Sequence, residues 1–277
     1  MDDNKAQRRS ASYTLAVEDT AFLLRDELRA IRFALEYEKA ELLLREWGVR
    51  STVVVFGSAR VPSPEQAEAL LRSARDPAAL VAARRRAAQS AWYRTARQFA
   101  RIVSERGGAL VGDHGPRSNV IATGGGPGVM EAANRGASDA GAPSIGFNIT
   151  LPHEQEPNAF STPDLTFRFH YFAMRKMHLA MRASALAVFP GGFGTFDELF
   201  ELLTLQQTGK APAMPIVLFD RAFWRDVVNF DALVEHGMVG ERDLGLLEIV
   251  DTAEQGWESL VRRGLQLPAR DKGEGGT

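Results

Sequence analysis

Cysteine is absent from all 277 residues, which excludes disulfides, thiol nucleophiles and thiolate metal sites at once. Long apolar runs are missing too. No stretch approaches the roughly 18 residues that a membrane-spanning helix needs, and Met1 to Thr14 contains no apolar core of a secretion signal. A surplus of one charge sign is also lacking. At a formal net charge of -2 the chain exerts no global pull on nucleic acid or an acidic membrane, so an anionic ligand must be held by a local site. These absences set the expectation of a cytoplasmic protein with neither a nucleic-acid nor a membrane partner.

What is present fits one large α/β domain with extensions, since 45% of the residues are hydrophobic and the length allows a sizeable core. Residues 1–16 are polar and read as a flexible N-terminus. Over 17–48 apolar residues recur at helical spacing (Phe22, Leu24, Leu28, Ile31, Leu35) up to Gly48, which reads as an N-terminal helical arm. Thr52 to Phe56 is a β-branched run ending in Gly57-Ser58, a buried first strand entering a turn. Pro64 to Arg106 reads as one or two helices breaking at Asp76-Pro77. Its Arg84-Arg85-Arg86 run is a nucleic-acid patch or, more in keeping with the charge balance, a solvated helix face.

From Asn119 the grammar becomes strand, turn, helix, and it repeats: NVIATGGGPGVMEAANRGASDAG, then PSIGFNI, ALAVFPGGFGTFDELFELLTLQQTG and MPIVLFDRAFWRDVVNF. A short strand near Leu247 to Val250 and a last helix from Thr252 to about Arg263 complete it. Apolar strands alternating with helices predict a Rossmann-like, doubly wound parallel sheet over 49–266, with helices on both faces and ligands at the carboxyl ends of the strands. Residues 267–277 read as a disordered tail.

Two glycine-rich turns carry the chemistry. In the first, Gly124, Gly125, Gly126 and Gly128 lie between a strand and a helix beginning near Pro127. Glycines let a ligand approach the backbone, and a helix N-terminus offers N–H groups and partial positive charge to an anion, phosphate above all. A tight packing turn explains one such glycine but not three in succession. The dinucleotide fingerprint fails, because Glu131 fills its third glycine position and the next strand ends near Asn148, where NAD requires an acidic residue. The second turn, Pro190 to Thr195, repeats the device, with Thr195 as an N-cap or a phosphate-binding hydroxyl. Asp197 and Glu198 then fall in the first helical turn; Asp197 suits the helix dipole, whereas a carboxylate at Glu198 beside a phosphate needs chemistry to do or a cation to pair with. Upstream, Arg175 and Lys176 sit on a helix that is apolar nearly all round, so these two cations need a partner unless they are surface decoration. Glu198 or an anionic ligand would supply one. The five histidines show no ligand spacing, and the aromatic run Phe167, Phe169, Tyr171, Phe172 is core or a base-stacking surface.

Taken in order, GGGPGVMEAANRGA, the Arg175-Lys176 pair, PGGFGTFDELFE and LTLQQTGK resemble the LONELY GUY (LOG) family, formerly labelled lysine decarboxylase, over about Val53 to Val250. The resemblance implies a hydrolase that splits the N-glycosidic bond of a nucleoside 5′-monophosphate, AMP or a cytokinin riboside 5′-monophosphate, into free base and ribose 5-phosphate. It implies Arg175 and Glu198 as catalytic, and Glu154, Lys176, Gly192, Phe193, Gly194, Thr195, Asp197 and Thr204 as substrate-contacting. Ser58 and the first-turn glycines would neighbour the phosphate and ribose. No cofactor and no metal are implied, and a homodimer or larger homo-oligomer is. Many short members carry a histidine two residues before the arginine, where this chain has Ala173, with His178 following the pair instead. A literal decarboxylase would need pyridoxal phosphate on Lys176, and a non-catalytic nucleotide sensor on the same fold is the alternative.

Overall fold

The structure is a computed structural model that describes residues 3–111, 115–151 and 156–268. Short helices α1 (Lys5–Arg9) and α2 (Thr20–Leu23) precede α3 (Arg29–Glu46). The first strand, β1 (Thr52–Phe56), is followed by α4 (Pro64–Ser73), α5 (Pro77–Ala88) and α6 (Ser90–Arg106). Next come β2 (Val120–Thr123), α7 (Val129–Asp139), β3 (Ser144–Ile149), β4 (Thr166–Phe169), α8 (Phe172–Met181), β5 (Ala183–Val188) and α9 (Phe193–Gln207). The chain continues through β6 (Ile216–Phe219), α10 (Arg221–Val227), α11 (Phe230–Glu235), α12 (Glu241–Leu244), β7 (Leu247–Val250) and α13 (Ala253–Arg262).

The seven strands form one parallel sheet in the order β4-β3-β2-β1-β5-β6-β7. Strand alternation divides the core into two layers. Val53, Val55, Ile121, Ala185 and Ala187 point to one face, under α6, α7 and α13 with Tyr93, Phe99, Val129 and Trp257. Val54, Phe56, Ala122, Leu186 and Val188 point to the other, under α3, α8, α9 and α10 with Leu44, Leu179, Leu199 and Trp224. This is the doubly wound Rossmann-like sheet. The strand order reverses between the adjacent β1 and β5, so loops at the carboxyl ends of those strands diverge and leave a crevice.

Three local readings change. The helical pattern over 17–47 is broken, because Asp19 caps α2 through the Phe22 N–H (2.9 Å) and a 3₁₀ turn at Asp26–Leu28 intervenes before α3. The region 64–106 holds three helices rather than one or two. Asp76 does cap α5 with Pro77 in its first turn, but a further break falls at Gln89. β4 came from a run read only as aromatic: Phe167 and Phe169 are buried while Arg168 is exposed, the alternation of an edge strand.

Buried polar groups tie helices to the sheet. Glu41 of α3 accepts from Arg182 Nη2 (2.8 Å) and Arg45 Nε (2.7 Å), which holds its carboxyl below the usual range. His178 is buried among Tyr37, Phe147 and Phe169, and burial lowers its pKa, so the ring is neutral. His170 and His236 are exposed, and His114 and His153 lie outside the described residues. No described helix is long and apolar enough to cross a membrane.

Gly128 sits at φ +73, and a Cβ there would come within 2.3 Å of the Ser58 carbonyl oxygen. Gly128→Ala combines a left-handed backbone with a backbone clash, and is expected to cost roughly 2–4 kcal/mol. Urea titration checks this; a midpoint within error of wild type would contradict it.

Candidate functional site

The crevice at the switch point is a cleft of about 790 Å³. Four segments build it: the loop Gly57–Val61 after β1, the α5–α6 junction (Arg86, Gln89, Trp92), Gly124 with Met130 after β2, and Pro190–Phe196 after β5. Arg175, Glu198 and Phe223 complete it. Ser58 braces these loops. Its N–H donates to the Pro190 carbonyl (3.0 Å), its carbonyl accepts from the Val129 N–H (3.2 Å), and its hydroxyl accepts from the Arg60 N–H (3.0 Å). One serine thus fixes the two glycine turns relative to each other.

The glycines differ in what they do. A Cβ on Gly125 (φ +70) would lie 2.2 Å from Asn148 Nδ2, and Gly128 abuts Ser58, so these two serve close packing of loops. Gly126 is buried, with its carbonyl held by Asn158 Nδ2 at 3.1 Å. Of the first turn's glycines, Gly124 lines the cleft. In the second turn, Gly192 and Gly194 have nothing within 4 Å of where a Cβ would sit, and both line the cleft. Gly192 is also the N-cap of α9 and brings no side-chain cap to it. The first turn of that helix therefore presents bare backbone to the open space, the geometry that accepts an anion.

The helix starts earlier than its sequence pattern indicates. α9 begins at Phe193, so Thr195 is inside the helix rather than its N-cap, and its N–H donates to the Gly192 carbonyl (2.9 Å). Asp197 and Glu198 move to the second turn, where the dipole reading of Asp197 loses its basis. Asp197 instead meets Lys176 Nζ at 2.7 Å, and Glu201 meets it at 2.9 Å. Lys176, Asp197 and Thr204 line a second groove on the outer face of α9 with Phe200 and Leu205; Phe193 and Phe196 border both spaces. Thr204 is exposed and donates to the Phe200 carbonyl (2.7 Å). The structure thus gathers Arg175, Glu198, Gly192–Thr195, Gly124 and Ser58 in one cleft and sets Lys176, Asp197 and Thr204 outside it. Glu154 lies outside the described residues.

Arg175 and Glu198 pair, Nη2 to Oε1 at 3.2 Å, with the Glu198 side chain 5% exposed. The helix that carries Arg175 is less apolar in its surroundings than in its composition: α8 buries His178 and Leu179, whereas Phe172 is exposed and lies 5.2 Å from the Arg175 guanidinium. Arg175 lowers the Glu198 pKa, but it does not set the net shift. Burial raises it and outweighs the lowering by Arg175 and Lys176. Lys176 shows the reverse balance, since burial lowers its pKa but its bonds to Asp197 and Glu201 leave it raised. Phe167 and Phe169 are core and do not line the cleft. The cleft residues that sequence reading passed over are Arg60, Arg86, Gln89, Trp92 and Phe223. Trp92 is held by its Nε1–H to Asp220 Oδ2 (2.5 Å), on a residue at φ 76 that also caps α10. Among the described residues no group of three or more His, Asp or Glu is arranged to hold a metal.

Fold and cleft together define a Rossmann-like α/β protein with a crevice at its switch point. Residues 130–260, just under half of the chain, match the family model described as "Possible lysine decarboxylase". The match includes Arg175, Glu198 and the second turn but starts after the first. A curated relative, "Probable cytokinin riboside 5'-monophosphate phosphoribohydrolase LOG4" of Oryza sativa subsp. japonica, is 25% identical over 138 residues. That alignment spans 49% of this chain and 59% of the relative's length. Among solved structures, the molybdenum cofactor binding protein of Rippkaea orientalis is 17% identical at a TM-score of 0.45, over 77% of this chain and 94% of that one. The molybdenum cofactor carrier protein of Chlamydomonas reinhardtii is 17% identical at 0.45, over 77% and 99%. These two likenesses are too distant to bear on function.

A carboxyl with a raised folded-state pKa subtracts stability as pH climbs from its ordinary value of 4.5 to the folded one. Glu198→Gln removes that penalty, so its stability relative to wild type is expected to be higher at pH 7 than at pH 4. Denaturant titrations at the two pH values measure it; a pH-independent difference would show that Glu198 titrates like a solvated carboxyl.

Proposed function

We propose that the protein is a nucleoside 5′-monophosphate phosphoribohydrolase, hydrolysing the N-glycosidic bond of AMP or a cytokinin riboside 5′-monophosphate to free base and ribose 5-phosphate. The observation that carries this reading is Glu198, a buried carboxylate opening on a cleft whose opposite requirement, an anion seat, is met one helical turn away at Gly192–Gly194. Cleavage at the anomeric carbon builds oxocarbenium character, which a nearby carboxylate stabilises while it activates the attacking water. The raised pKa of Glu198 makes it a stronger base than a solvated carboxylate. Arg175 orients it and holds it ionised against burial. The phosphate, seated on the first turn of α9, contributes remote binding energy that positions the ribose.

The decarboxylase label is a poor guide to the chemistry. A Schiff-base lysine needs a depressed pKa, whereas Lys176 is raised and committed to two carboxylates. In the proposed reading the protein is also a homodimer or larger homo-oligomer, because Phe193 is 96% exposed and Phe200 borders the same outer groove. A second copy covering that groove would bring Lys176, Asp197 and Thr204 into the neighbourhood of substrate.

Glu198→Gln is expected to reduce adenine release from AMP by about 10²–10⁴-fold, read by chromatography of the free base. Near-wild-type release would refute the assignment, and AMP bound but uncut by wild type would point to a nucleotide sensor. In wild type the acid limb of kcat/KM should fall above pH 4.5, the ordinary value of this carboxyl. A limb at or below it would separate Glu198 from the reaction.

A further inference from the structure

Arg86, together with Arg60, carries a charge that no ion pair among the described residues neutralises. The charged residues lining the cleft are Arg60, Arg86, Arg175 and Glu198. Arg175 is paired with Glu198, and Lys176 is paired with Asp197 and Glu201 on the outer face of α9. Arg60 and Arg86 are exposed and enter no ion pair among the described residues. The cleft therefore holds an excess of two guanidinium groups. A phosphate monoester carries about -1.5 to -2 at neutral pH, so the excess matches the ligand in size and is opposite to it in sign.

We infer that Arg60 and Arg86 are the cationic part of the substrate's phosphate site, facing the bare N-terminus of α9 across the cleft. This rests on the proposed reading of the substrate. Backbone N–H groups alone give an anion a partial positive charge of about half a unit, less than a dianion requires. Guanidinium groups add full charges and paired donors shaped for phosphate oxygens. The placement also gives the α5–α6 segment a role. Its Arg84-Arg85-Arg86 run is exposed, but Arg86, close to the break at Gln89, lines the cleft together with Gln89 and Trp92.

The test compares Arg86→Ala and Arg60→Ala with wild type on AMP and on adenosine, which lacks the phosphate, and by calorimetry with ribose 5-phosphate. Each substitution is expected to raise KM for AMP about tenfold with kcat within about twofold. Adenosine turnover should be unchanged and ribose 5-phosphate binding weakened by a similar factor, with Arg86→Lys recovering part of the loss. Equal losses on AMP and adenosine, or unaltered ribose 5-phosphate binding, would overturn the inference. A wild type that releases no base from any nucleotide, yet binds ribose 5-phosphate through Arg86, would refute the hydrolase reading and leave this one standing. Because both side chains are exposed, the variants should keep the wild-type denaturation midpoint, which guards against a folding artefact.

Discussion

Glu198 meets Arg175 at 3.2 Å in a place where water hardly reaches, and the character of the cleft follows from how that contest of charges is resolved. At an effective dielectric near 20 the attraction is worth about 5 kcal/mol. Removing a carboxylate from water costs several kcal/mol per ion. The two are close enough that neither dominates outright, and the net shift of Glu198 goes the way of burial. The result is a carboxylate that is ionisable but reluctant, which is what acid–base work near neutral pH demands.

The fold supplies the position of this pair without any special element. α8 leads into β5, and β5 leads through the second glycine turn into α9, so Arg175 and Glu198 flank one strand that borders the switch point. Ser58 then ties the neighbouring loops by two backbone hydrogen bonds, to Pro190 and Val129. Packing glycines and open glycines divide the labour. Gly125 admits the Asn148 side chain and Gly128 the Ser58 backbone, whereas Gly192 and Gly194 face open space. Similar sequence strings thus perform different physical tasks in the two turns.

The sheet was legible because most of its strands are short apolar runs, with glycine turns after β1, β2 and β5, a local signal that burial on both faces makes nearly unavoidable. β4 was less so: four residues at the sheet edge, whose alternation of Phe167, Arg168 and Phe169 was present but masked by the aromatic run that Tyr171 and Phe172 continue. The Arg175–Glu198 pair was suggested by chemistry, since a cation on an apolar helix and a carboxylate beside a phosphate turn each want the other. Lys176 was not separable from Arg175 on sequence. Their different partners depend on the angle between α8 and α9, a tertiary quantity. The start of α9 at Phe193 was hidden for a related reason, because glycine at its N-cap gives no side-chain signal of the kind that Asp76 gives α5. Arg86 was hidden in the same way, as one member of a charged run whose neighbours do face solvent.

The central claim is that a phosphate seat and a reluctant carboxylate together sever the bond between base and ribose. Following wild-type protein with AMP by ³¹P and ¹H NMR tests it in one vessel. The account predicts adenine and ribose 5-phosphate appearing in equal amounts, with no adenosine and no inorganic phosphate. Adenosine with inorganic phosphate, or AMP that stays intact while bound, would contradict it.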